Sequence, residues 1–136
     1  MGLFHFYDIG NTDVYVFDDF LIKQVKEGAF INDEETELFV EIIKKHFDNK
    51  NFAFISNRIN SYSVNPLVYT AAEKLPNLVA FAVITVDEKM REISIFENKF
   101  HNRPFNTFDN LSDAISWVSE IIKDKNKTKS SDFLVD

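Results

Sequence analysis

The chain is 136 residues long, 45% hydrophobic, and carries a formal net charge of -7, which suits one domain with a single sizeable core. That acidity, with its three arginines scattered at Arg58, Arg91 and Arg103, argues against electrostatic docking on nucleic acid or anionic membrane. Cysteine is absent, which excludes disulfides, thiolate metal sites and cysteine nucleophiles.

Leu3 to Tyr7 reads as a short edge strand. Asp13 to Asp18 (DVYVFD) is β-branched and aromatic and reads as a strand, as does Phe20 to Lys26 (FLIKQVK). Lys23, Gln24 and Lys26 suggest that this strand has a wetter face. Asp18-Asp19 fits a tight hairpin turn, because Asp tolerates turn conformations. Gly28 ends the hairpin. Asn32, with Glu35 three residues on, resembles a capping box, and Asp33 and Glu34 suit the positive end of a helix dipole. Leu38, Phe39, Ile42, Ile43, His46 and Phe47 then recur at helical spacing. His46, on or beside that stripe and without a partner in sequence, reads as a structural histidine before a ligand or catalyst.

After the turn Asp48 to Asn51 comes the segment on which the chain is organised, Phe52 to Pro66 (FAFISNRINSYSVNP). Phe52-Ala53-Phe54-Ile55 reads as a strand buried on both faces. The segment then turns polar: Ser56, Asn57, Arg58, Asn60, Ser61, Tyr62 and Ser63 supply seven hydrogen-bonding side chains before a predicted helix. In open α/β sheets, the point where a core strand ends and a helix begins is the usual place for a binding site. These seven residues are the candidate binding residues. Helix N-terminal N–H groups with Arg58 nearby suit a carboxylate or phosphate. Simple capping by Ser63 or Asn65 explains the Ser and Asn residues but not the arginine.

Asn65 to Lys74 reads as a short helix with Pro66 in its first turn, ended by Leu75-Pro76-Asn77. Leu78 to Val86 (LVAFAVITV) is the strongest buried-strand signal. Asp87 to Phe100 places Met90, Ile93, Phe96 and Phe100 at helical intervals. Pro104 to Phe108 is a short strand, and Asp109-Asn110 caps a last helix from Leu111 to Lys123. Residues 125–136 read as a polar, disordered tail. No apolar run approaches the ~20 residues of a membrane helix, and no signal-peptide pattern is present, so a soluble, cytoplasmic protein is expected.

The order hairpin, helix, strand, helix, strand, helix, strand, helix implies a single α/β domain over 1–124. Its sheet is mixed and mostly parallel, with an N-terminal antiparallel hairpin and about four helices. With that order, FAFISNRINSYSVNP followed by NLVAFAVITV and RPFNTFDNLSDAISW resembles a SpoIIAA-like protein of the STAS superfamily. The likeness extends from about Asp13 to Ile122, and the fold is related to the CRAL-TRIO lipid-binding fold.

The resemblance implies a non-catalytic bacterial regulatory module that acts through protein-protein interaction. In anti-sigma factor antagonists, a serine at the start of the helix after the central strand is phosphorylated and switches partner binding; by position the candidates are Ser61 and Ser63. Those antagonists carry an Asp-Ser-Ser/Thr-Gly type motif where this chain has Asn60-Ser61-Tyr62-Ser63. The alternative implied by the CRAL-TRIO relationship is a small-molecule or lipid carrier with a pocket lined by some of the fifteen phenylalanines.

Catalysis has little support. There is no G-x-S-x-G elbow and no glycine-rich phosphate loop, since the glycines are Gly2, Gly10 and Gly28. No metal-ligand spacing stands out. The expectation is no enzyme, no cofactor and a protein partner. Trp117 and the hairpin edge are features that a homodimer could use.

Overall fold

The computed structural model describes residues 4–31, 33–58, 63–64, 75–97 and 103–135. Its main sheet has six strands in the order β1-β2-β3-β5-β7-β8: β1 (His5–Asp8), β2 (Thr12–Val16), β3 (Phe20–Val25), β5 (Phe52–Asn57), β7 (Leu78–Ile84) and β8 (Phe105–Phe108). The first two pairings are antiparallel and the last three parallel. Three helices are described: α1 (Asp33–Phe47), α2 (Glu88–Glu97) and α3 (Leu111–Val135). The helix expected over 65–74 lies outside the described residues. A second, two-stranded sheet joins β4 (Phe30–Ile31) to β6 (Ser63–Val64) in parallel. Val64 is thus paired as a strand and does not open a helix, so Ser63 is not the cap of one beginning there.

The hairpins form where turn chemistry allows. Gly10, between β1 and β2, has φ 105°, a conformation that costs glycine nothing and other residues strain. Asp18 and Asp19 bridge β2 and β3 as expected, closed by a bond from Phe17 N to Phe20 O of 2.8 Å.

Strand alternation sorts the core into two layers. Toward α1 lie Val14, Val16, Leu21, Phe54, Phe81 and Val83, packed with Phe39, Ile42, Ile43 and Phe47 of the helix. Rings run across the parallel strands on this face: Phe54 stacks on Phe81 (4.6 Å between centroids) and Phe81 on Phe105 (5.2 Å), while Phe39 meets Phe54 edge-on (5.1 Å). Burying each such ring contributes roughly 2–3 kcal/mol. On the opposite face Ala53, Ala80 and Ala82 leave room for α3, which seats Ala114, Val118 and Ile122 there. Trp117 of α3 packs its ring 5.5 Å from that of Phe108. The β1 end of that face keeps Phe4 and Phe6 exposed.

The C-terminal end corrects one expectation. The last helix, expected to end at Lys123, runs on to Val135. No Gly or Pro falls between Lys123 and Val135, so nothing in the local chemistry stops the helix. Lys123 to Lys127 are all exposed along this extension.

Candidate functional site

The polar segment begins at the C-terminal edge of the three parallel strands. Ser56 is paired with Lys23 of β3 and with Val83 of β7, and Asn57 with Ile84. Arg58 continues the ladder by one bond, from its N to Ile84 O (2.9 Å). Alternation turns Ser56 and Arg58 toward the α1 side and Asn57 toward the other.

Both residues on the α1 side are buried, Ser56 to 4% and Arg58 to 7% exposure. Arg58 Nε donates to Ser56 Oγ (3.0 Å), and Nη1 lies 4.0 Å from Met90 Sδ on α2. On the opposite face Asn57 Nδ2 donates to Gln24 Oε1 (3.2 Å). Asn57 Oδ1 is buried and accepts no hydrogen bond among the described residues, a costly state for a carbonyl that water or a ligand donor would relieve. Of the other candidate residues, Asn60, Ser61 and Tyr62 lie outside the described residues. Ser63 is described only as the first residue of β6, opposite Phe30.

The structure brings two further residues, Lys23 and Glu35, to this corner. Lys23 was assigned to a wetter strand face, yet it shares the α1 side with the buried Leu21 and Val25. Its Nζ sits 4.7 Å from the centre of the Phe39 ring, within range of a cation–π attraction. Burial, reinforced by the neighbouring Arg58 charge, lowers the Lys23 pKa to about 8, while Glu35 acts the other way. Parity with Leu21 and Val25 was the available signal. Glu35, read as half of a capping box, is 8% exposed. Its carboxylate accepts from Asn11 N (3.2 Å), Asn11 Nδ2 (2.7 Å) and Thr12 Oγ1 (3.5 Å), so it ties α1 to the β1–β2 turn. Arg58 and Glu35 are buried here, and both act on the charge of the half-buried Lys23 beneath the SNR corner.

The described histidines lie elsewhere. His46, in the last turn of α1, is about 16 Å along the helix from Glu35 at 1.5 Å per residue. Its Nε2 is 2.6 Å from the Tyr7 hydroxyl, and its ring is 4.7 Å from that of His5. Neither imidazole faces Ser56. Burial lowers the His46 pKa, followed by the nearby His5 and Lys45. Among the described residues no group of three His, Cys, Asp or Glu can hold a metal ion, and no helix is long and apolar enough to cross a membrane.

No family model and no curated protein matches the chain. Among solved structures it is similar to an uncharacterized protein of the DUF3478 family with a SpoIIAA-like fold from Shewanella loihica PV-4. The two share 13% sequence identity over 85% of this chain and 92% of that one, with a TM-score of 0.58. The fold is therefore SpoIIAA-like.

Proposed function

We propose that this protein is a non-enzymatic regulatory module that binds a protein partner through the corner at 56–66. The observation that carries this reading is the burial of Ser56 and Arg58 at the C-terminal edge of the parallel strands, where α/β sheets carry their sites. Arg58 Nε donates there to Ser56 Oγ, which fixes the guanidinium at the strand end. The SpoIIAA-like fold supports a switch in which Ser61 or Ser63 is modified and partner binding changes. A phosphate added beside a cationic side chain gains charge-assisted hydrogen bonds. The rings that a carrier would use to line a pocket are, at Phe39, Phe47, Phe52, Phe54 and Phe81, packed on one another, which favours the interaction reading.

The test is quantitative capture from the native host with wild-type, Ser61→Asp and Asn57→Ala proteins. A partner enriched by wild type and weakened at least tenfold by either variant is expected. Equal capture by all three would refute the reading.

A further inference from the structure

The first strand stands at one end of the main sheet and pairs with β2 on one side only. Hydrogen bonding alternates along an antiparallel pair. Ile9 N donates to Thr12 O (3.0 Å), so Ile9, Tyr7 and His5 turn their backbone groups to β2. Phe6 and Asp8 turn theirs to the open edge, and Phe4 continues the alternation. Natural proteins blunt such an edge with lysine, proline or a bulge. β1 reads His5-Phe6-Tyr7-Asp8, and its register with β2 runs without a break, so it carries none of these. Its one carboxylate, on Asp8, is held by Lys26 Nζ at 3.1 Å. The strand therefore presents no unanswered carboxylate, in a chain of formal charge -7.

An aromatic row runs to the same edge and stops there. On the face that α3 covers further along the sheet, Phe20 stacks on Phe17 (4.9 Å) and Phe17 on Phe4 (5.5 Å), while Tyr15 meets Phe6 (5.1 Å). The row ends in Phe4 and Phe6, which remain 58% and 51% exposed. On the α1 face a cavity of ≈ 220 Å³ separates Tyr7 and Ile9 from Leu38 and Ile42, which leaves room for a side chain of an added strand. We infer that a second copy of this chain pairs antiparallel with β1 about a two-fold axis at Phe6, joining two six-stranded sheets into one. This register sets Phe6 against Phe6 of the second copy, and Phe4 against Asp8 of the second copy. Every outward backbone group from Phe4 to Asp8 then meets one turned toward it. A strand of another sequence offers the backbone match alone. The two-fold axis adds the side chains, because ring meets ring at Phe6 and the row of one copy continues into the other. Two half-exposed rings per copy fall well short of the ~1,200 Å² at which standard interfaces begin. The association is therefore weak, with a dissociation constant of about 10–100 μM.

The experiment is analytical ultracentrifugation of the full chain from about 5 to about 500 μM, a range that brackets this constant. The expected result is a reversible monomer–dimer equilibrium. Phe6→Lys places two ammonium groups against each other at the axis and should raise the dissociation constant by about tenfold or more. The Phe6 ring is half exposed, so the variant should fold, and an unchanged thermal melt at low concentration checks this.

Cross-linking reads the register. The chain has no cysteine, so Phe6→Cys carries a single thiol. A hydrogen-bonded antiparallel pair sets its Cα atoms ~5.5 Å apart, within reach of a disulfide, so mild oxidation should join Phe6→Cys chains. In Phe4→Cys the two thiols stand about 14 Å apart along the strands, and joining should be far slower. A wild type that stays monomeric throughout, a dimer equally strong in Phe6→Lys, or faster joining of Phe4→Cys than of Phe6→Cys would each overturn the pairing. If a monomeric wild type captures a host protein that Phe6→Lys does not, the edge belongs to a foreign strand and the second copy is refuted.

Discussion

The two edges of the sheet treat ionisable side chains in opposite ways. At the C-terminal edge of the parallel strands, Lys23, Arg58 and Glu35 are drawn into the layer beneath α1 as charges. At the other end of α1, His46 meets Tyr7 and His5 in an aromatic cluster whose burial favours the neutral imidazole. One helix spans both. The difference teaches that a buried polar group is structural when a neutral partner satisfies it, as Tyr7 does for His46. It becomes a candidate for binding when its charge has no hydrogen-bond acceptor among the described residues, as at Lys23.

The strongest way to break this contrast is Glu35→Ala. It removes the acceptor for Asn11 and Thr12 and the negative charge that acts on Lys23. Urea denaturation should show a loss of about 3 kcal/mol, in the range for removing one member of a buried charge group.

Next in size is Lys23→Met, which should stabilise the protein at pH 7 by about 1–2 kcal/mol. The sign follows from linkage. An unfolded chain keeps the Lys23 proton up to the ordinary 10.5, whereas the folded chain releases it near 8. Between those values the unfolded state binds more protons, so wild-type stability should rise with pH from 8 to 10.5, and below 8 the full cost of the buried charge is borne. Urea midpoints measured across pH 7 to 11 would show this rise in wild type and not in Lys23→Met. Parallel curves would mean that the ammonium is fully solvated.

At the opposite edge the effects are smaller. Tyr7→Phe should cost about 1 kcal/mol, one hydrogen bond to a half-buried ring. Because the folded His46 pKa lies below the ordinary 6.5, the unfolded chain takes up its proton first as pH falls. Stability should therefore decline as pH drops through 6.5 and level off once folded His46 is itself protonated. His46→Phe should flatten that decline in thermal melts between pH 7 and pH 4. An unchanged slope would place the acid sensitivity elsewhere.

The surface pair of Lys50 and Asp19, 3.5 Å apart with both side chains nearly half exposed, sets the floor of the comparison. Lys50→Ala should change stability by less than about 0.5 kcal/mol, and a larger change would show that surface charge matters more here than burial predicts.

Much of this architecture was legible before any coordinates. Alternation in DVYVFD and the continuous apolar runs at Phe52 and Leu78 identify strands because a half-buried strand has a period of two and a doubly covered one has none. The Asp18-Asp19 turn followed from the conformations Asp tolerates. The extent of the last helix was misjudged, since polarity after Lys123 was read as disorder although nothing there breaks a helix. The β4–β6 pairing was invisible because two residues meeting two residues across more than thirty positions leave no periodic trace. The site was half legible. Ser56, Asn57 and Arg58 stood out by their abrupt change of polarity, but the positions of Lys23 and Glu35 depended on which face of β3 and of α1 turns inward.

By itself, then, the sequence determined the order of the strands in the main sheet, the aromatic character of the core and the strand end where polar side chains gather. Each of these is local: periodicity, turn chemistry and composition act within about ten residues. Tertiary structure alone decided that an arginine after β5 and a glutamate from the first turns of α1, both buried, act on the charge of a lysine from β3. It likewise decided that Tyr7 reaches His46 across 39 positions. Electrostatic interaction depends on separation in space and on the surrounding dielectric, and neither is written in the spacing of residues along the chain.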